Sequence, residues 1–141
     1  MKKLKGPLFV VVDTNILVSS LLADGPPALI VDRIAEGKIR PCFNEPILSE
    51  YWNVLSRPKF GFNPLQINRL MYDIIRVGFG VEASAHTLPG KVLMPDESDR
   101  KFYEAAKIAG ALLITGNTKH YPDEPFILTP AAFVQRYYAA E

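Results

Sequence analysis

Phe9-Val10-Val11-Val12-Asp13-Thr14-Asn15 is an apolar, β-branched run that stops on a carboxylate followed by two small polar residues. Continuous rather than alternating hydrophobicity marks a strand covered on both faces, the habit of a parallel sheet lying between helices. In open α/β sheets ligands bind outside the carboxyl ends of the strands, so this run predicts a strand that delivers Asp13 to the edge where chemistry is done. Thr14 is placed to cap the helix that Ile16, Leu17 and Leu21 continue. A second reading of Asp13 stays open here, because an acid just before a helix also serves as a simple cap.

The other half of the chain carries a matching run. Gly110-Ala111-Leu112-Leu113-Ile114-Thr115 reads as a second buried strand, ending on Thr115-Gly116-Asn117 as the first ends on Asp13-Thr14-Asn15. Between the two, elements alternate. Leu29, Ile30, Val31 and Ile34 recur at helical spacing up to Glu36-Gly37, with Gly37 as a left-handed cap. Residues 38–43 form a short strand interrupted by Pro41. Asn44-Glu45-Pro46 and Asn63-Pro64 each open a helix with a capping side chain and an early proline. The first of these helices has a stripe of Leu48, Trp52 and Leu55, and Glu50 lies off it, beside Ile47, Val54 and Arg57. The second presents Ile67, Leu70, Met71, Ile74 and Ile75 on one face. A short strand follows over 79–81. Asp96 or Ser98 caps a helix carrying Phe102, Ala105, Ala106 and Ala109. After a turn at His120-Tyr121-Pro122 come a strand over 126–128 and a helix begun by Thr129-Pro130, with Phe133, Val134, Tyr137 and Tyr138 inward. This alternation predicts an α/β, doubly wound parallel sheet, and the absence of a repeat or linker predicts one domain over 1–141.

Composition bounds the partners. At 141 residues the chain has the length of one domain, and 48% hydrophobic against 22% charged residues excludes long disorder. Sixteen Lys and Arg offset 15 Asp and Glu, a formal net charge of +1, so a nucleic-acid partner must be held by a local patch and not by a global field. The single cysteine rules out an intramolecular disulfide and makes a reducing, cytoplasmic setting the expectation. Met1-Lys2-Lys3-Leu4-Lys5 is basic without a signal-peptide core, and the apolar runs are too short to span a bilayer, so no membrane is expected.

The acids carry the chemistry. Asp13 at a strand end, Glu50 on a helix edge, and Asp96 and Asp99 at a helix start are distant in sequence, yet such a sheet can bring all four to its carboxyl edge. Carboxylates that close raise each other's pKa, and a hard divalent cation removes the repulsion. Mg²⁺ or Mn²⁺ suits oxygen ligands that leave waters in place, and such waters can attack a phosphodiester. No cysteine or histidine spacing resembles a zinc site.

V-V-D-T-N-I-L, E-P-I-L-S-E-Y-W-N-V-L-S-R-P-K-F, P-D-E-S-D-R-K-F-Y-E-A-A, A-L-L-I-T-G-N and I-L-T-P-A-A-F together resemble the PIN domain, and within it the branch of VapC-like toxin components of toxin-antitoxin systems. The likeness covers roughly residues 8–138, in order. It implies a three-layer α/β/α sandwich with a central, mainly parallel five-stranded sheet. It implies a metal-dependent endoribonuclease hydrolysing RNA to leave a 5′-phosphate and a 3′-hydroxyl. Asp13, Glu50 and Asp99 become the metal-ligand acids, Asp96 an additional one, and Thr14, Asn15 and Thr115 polar groups around them. It further implies a homodimer and a cognate antitoxin partner. One departure stands out: many PIN domains carry a fourth acid after T-G, where this chain has Asn117, so one-metal catalysis, two-metal catalysis and a weakened site are all open.

Other residues have two readings each. Arg57 and Lys59 can contact RNA phosphates, or Arg57 can pair with Glu50 along one helix face. Lys91, Arg100, Lys101 and Lys119 are further candidates for phosphate contact, and His120 for contact with substrate. Glu97 is read as solvated, His86 and Cys42 as structural, and Trp52, Tyr137 and Tyr138 as core. Two other functional classes are kept: a catalytically weakened PIN-fold module that binds RNA or protein, and a phosphatase with Asp13 as nucleophile. The second is weakened by Asn15 standing where the haloacid dehalogenase-like pattern has another acid.

Overall fold

The computed structural model describes residues 6–82 and 92–139. The opening run forms β1 (Leu8–Val12), in which Val10, Val11 and Val12 are all buried, as a strand covered on both faces requires. Phe9 is the exception in that run: it is exposed, packs edge-on against Phe79 and lies under the Arg40 guanidinium. The chain continues through α1 (Thr14–Leu22), α2 (Pro26–Ala35), β2 (Ile39–Phe43), α3 (Glu45–Leu55), α4 (Pro64–Val77), β3 (Phe79–Gly80), α5 (Arg100–Ala109), β4 (Leu112–Ile114), β5 (Ile127–Leu128) and α6 (Pro130–Tyr138). Single 3₁₀ turns at Glu97–Asp99 and Thr118–His120 precede α5 and β5.

The five strands run in the order β3-β2-β1-β4-β5, and every pairing is parallel. The sheet is therefore wholly rather than mainly parallel, with helices making up the outer layers of an α/β/α sandwich. From β1 the chain winds outward to β2 and β3, then returns to the other side of β1 for β4 and β5. The order reverses between β1 and β4, the place where open parallel sheets leave a crevice beyond their carboxyl ends. Asn44, Asn63 and Thr129 cap α3, α4 and α6 by accepting from Ile47 N, Leu65 N and Ala132 N, each with a proline in the first turn. No single helix among the described residues is long and apolar enough to cross a membrane.

Several sequence expectations shift by a residue or two. Asp13, not Thr14, caps α1; Thr14 is the helix's first residue. Gly110 is no part of β4 but the left-handed cap of α5, at φ 65°. On α3 the buried stripe is Ile47, Tyr51 and Leu55, spaced by four, while Trp52 is 46% exposed. The Tyr51 hydroxyl donates to the Val12 carbonyl at 2.5 Å, which gives a buried phenol its partner and ties α3 to the end of β1. On α4 Ile75 is exposed, and the buried face instead holds Asp73, which pairs with Arg69 and Arg76. Cys42, read as structural, is buried, and burial pushes its thiol up to about 11. The expectations on Lys2, Lys3, Lys5, His86 and Lys91 lie outside the described residues.

Candidate active site and metal centre

Parallel pairing sets Val12 opposite Ile114, and the next residue of each strand follows suit: Asp13 N donates to Ile114 O at 2.9 Å and Thr115 N to Leu128 O at 3.0 Å. The two polar strand ends are thus adjacent at the point where the strand order reverses. Asp13, only 7% exposed, accepts from Thr115 Oγ1 and from Tyr121 OH on the same oxygen, Oδ2, both at 2.9 Å. Among the described residues its Oδ1 takes only the long 3.4 Å cap bond from Asn15 N. Asp13 is therefore both the cap and a carboxylate held at the crevice, so the two readings of it do not compete.

Glu50 comes to the same edge from α3. Its Oε2 accepts from Thr14 Oγ1, and its Oε1 pairs with Lys101 Nζ at 2.7 Å. The 3₁₀ turn before α5 supplies the other acids. Asp96 caps that turn, accepting from Ser98 N at 3.0 Å and Ser98 Oγ at 2.7 Å, and these bonds hold its carboxyl below the usual carboxylate range. Asp99 is different. Its Oδ2 is buried without a hydrogen bond, His120 Nδ1 standing 3.4 Å away. Burial, followed by the charges of Asp13, Asp96 and Glu50, raises the Asp99 carboxyl to about 6, with His120 acting the other way. Burial first, and then the charges of Asp13 and Glu50, raise the phenols of Tyr51 and Tyr121, with Asp99 adding to the effect on Tyr121.

The family model of the PIN domain matches residues 9–119. The chain belongs to the PIN domain family. Neither the curated proteins nor the solved structures compared with it gave a match. PIN domains are generally metal-dependent nucleases that act on RNA, and the donor set of this PIN fold fits a divalent cation. Its acids repel one another, and one buried carboxylate oxygen lacks a donor. Ligating atoms of Asp96, Asp99 and His120 lie within 4.8 Å of one another, a group that could hold a metal.

The crevice of the PIN fold thus gathers Asp13, Thr14, Glu50, Asp99 and Thr115, with Asp96 and His120 beside Asp99. Asn117 enters through its backbone N–H, which donates to Thr115 Oγ1 at 3.1 Å, while its Nδ2 lies 2.9 Å from His120 Nε2. Asn15 contributes its backbone to Asp13 and exposes its side chain. Arg57 and Lys59 lie beyond the end of α3, exposed and outside this cluster, Lys59 resting over the Phe60 ring. The Arg57 to Glu50 pair does not form, since Glu50 takes Lys101 instead. Arg100 is not available for phosphate: it is buried against Glu97, Glu104 and the Val92 carbonyl. Glu97 accordingly serves as its partner and is not merely solvated. Lys119 is exposed at the turn after β4.

Sequence reasoning did not single out Tyr121 as a site residue, and it gave Lys101 only a peripheral place. An aromatic residue after a turn carries no periodicity to announce its role. For Lys101 there was a signal: it follows the acidic stretch within the first turn of a helix that has to start at the carboxyl edge.

Proposed function

We propose that this PIN domain is a metal-dependent endoribonuclease in which Asp13, Glu50 and Asp99, with Asp96 beside them, hold Mg²⁺ or Mn²⁺. The observation that carries the reading is the convergence of these carboxylates at the reversal of strand order, where Asp99 is raised to about 6 by burial and by its acidic neighbours. An ion bound there supplies charge neutralisation at the phosphodiester and an activated water at neutral pH. The chain's own groups do the rest. Thr115 and Tyr121 fix Asp13 Oδ2 and leave Oδ1 with only a long cap bond; Thr14 orients Glu50; the backbone of Asn117 orients Thr115, and Asn15 lines the rim. Arg57, Lys59 and Lys119 are the exposed cations assigned to RNA phosphates, the first two outside the acid cluster.

Motif likeness to VapC-like toxins supports a finer proposal: one domain over 1–141, cytoplasmic, homodimeric and restrained by an antitoxin. Exposed Leu65, Tyr72 and Ile75 on α4 are the kind of surface such partners cover. A second reading, a catalytically weak RNA- or protein-binding module, is favoured by one observation: an amide at position 117 brings no charge to the site.

The test is cleavage of structured and unstructured RNAs by the purified protein in Mg²⁺, Mn²⁺ or EDTA, beside Asp13→Asn and a small phosphomonoester control. Cutting that requires metal and disappears in Asp13→Asn is expected. A folded wild type that binds Mn²⁺ and cuts no RNA would give the binding module precedence, and phosphomonoester turnover alone would revive the phosphatase.

A further inference from the structure

Lys101 stands inside the acid cluster, not at its rim. From the first turn of α5 its ammonium reaches Glu50 Oε1 at 2.7 Å, donates to the Ser98 carbonyl and lies 5.2 Å from the centre of the Phe102 ring. Its side chain is 22% exposed and that of Glu50 is 28% exposed, so the pair is partly withdrawn from water. Both Glu50 oxygens are occupied, Oε1 by Lys101 and Oε2 by Thr14. Each oxygen keeps a second lone pair, but a divalent cation on Glu50 would stand beside the Lys101 ammonium, and two positive charges on one carboxylate repel. Thr14 is buried in the first turn of α1 and fixed by its backbone, whereas Lys101 sits on a flexible four-carbon stem. Lys101 is the one that can leave.

We propose that Lys101 is an internal counter-ion that holds Glu50 until a divalent cation takes its place, and that the displaced ammonium then binds a non-bridging oxygen of the substrate phosphate. The inference rests on the proposed ligand role of Glu50 for its first step and on the nuclease reading for its second. Ammonium and metal compete for one carboxylate, so removing the lysine raises metal affinity and lowers affinity for RNA in the metal-loaded state. A lysine that merely supported the fold would move both in the same direction.

The experiment uses the full chain with Lys101→Met, which keeps most of the stem against Phe102, and Lys101→Arg, which keeps the charge; thermal melting confirms that each is folded. Calorimetric titration with Mn²⁺ alone should show Lys101→Met binding about fivefold more tightly than wild type, the factor for losing one partly screened ion pair, with Lys101→Arg near wild type. Equal or weaker Mn²⁺ binding by folded Lys101→Met overturns the counter-ion step. For the second step, a labelled RNA is titrated in EDTA and in Ca²⁺. Lys101→Met should bind somewhat more weakly than wild type in EDTA, where Glu50 loses its counter-ion, and about fivefold more weakly in Ca²⁺. Equal binding in Ca²⁺ overturns the phosphate step. RNA that binds no form under either condition overturns that step together with the nuclease reading, while the Mn²⁺ titration still decides the first.

Discussion

The phenol of Tyr121 donates to Asp13 Oδ2 at 2.9 Å across 108 positions of sequence, and Thr115 Oγ1 donates to the same oxygen at 2.9 Å. Two donors on one oxygen hold the carboxylate in place and leave Oδ1 with the long cap bond from Asn15 N. Tyr121→Phe keeps the buried ring and deletes only the hydroxyl. Loss of such an outer partner of a metal ligand is expected to weaken Mn²⁺ binding by roughly tenfold or more, and loss of the hydrogen bond to cost about 1–2 kcal/mol of stability. Mn²⁺ titration and urea unfolding of the variant measure the two effects separately. Unchanged Mn²⁺ affinity would reduce Tyr121 to a filler of space.

Asp99 makes stability depend on pH in a defined direction. Its carboxyl titrates near 6 in the folded chain against 3.8 ordinarily, mainly because it is buried and then because Asp13 and Asp96 lie close. Between those values the folded chain holds the proton more tightly than the unfolded one, so stability contributed at low pH is lost as pH rises through this window. Allowing for solvent screening, the loss is about 1 kcal/mol above pH 6. In EDTA, Asp99→Asn should therefore overtake wild type in stability as pH climbs from 4 to 6.5. With Mn²⁺ present the order should reverse, and wild-type Mn²⁺ affinity should fall by up to about tenfold per unit below pH 6, as proton and metal compete. Denaturant melts at several pH values, with and without Mn²⁺, read all three effects.

What the sequence conceals here has physical reasons. The valines of β1 and Asp13, and the polar end of β4 at Thr115, are legible because a doubly covered strand needs an unbroken apolar run and its end is abrupt. Asp99 and Glu50 are legible as acids beside helical patterns, and Asn44, Asn63 and Thr129 as caps before prolines. Tyr51 and Trp52 are not separable by pattern, since adjacent aromatics fit two neighbouring helix faces equally well. Only the carbonyl of Val12, waiting for a donor, chooses Tyr51. Lys101 and Tyr121 belong to contacts that join elements 50 or more positions apart, which no local spacing encodes.

That choice of face on α3 gives unequal costs to neighbouring substitutions. Leu55→Ala empties a fully buried position and should cost about 2–4 kcal/mol. Trp52→Ala removes a side chain that lies 46% in solvent and should cost about 1 kcal/mol or less. Tyr51→Phe leaves the Val12 carbonyl without its phenol donor and should cost about 1–2 kcal/mol. Urea midpoints of the three variants rank them, and a Trp52→Ala cost equal to that of Leu55→Ala would contradict the observed face.

Gly78 closes α4 against β2, and its constraint is one of space. Its φ of −85° is open to any residue, yet a Cβ there would lie 2.3 Å from Ile74 O, 2.6 Å from Pro41 O and 2.6 Å from Phe43 Cε2. Two of the three obstacles are backbone carbonyls, one within α4 and one in β2, so relief demands that the helix end move away from the strand. Gly78→Ala should then cost about 3 kcal/mol, at the upper end of overpacking. Gly80→Ala provides the contrast, because nothing lies within 4 Å of its Cβ. The two glycines are two residues apart, Gly78 at the end of α4 and Gly80 in β3, so a general intolerance of alanine there would destabilise both equally. Urea unfolding that separates them by 2 kcal/mol or more would locate the cost in the contact between α4 and β2.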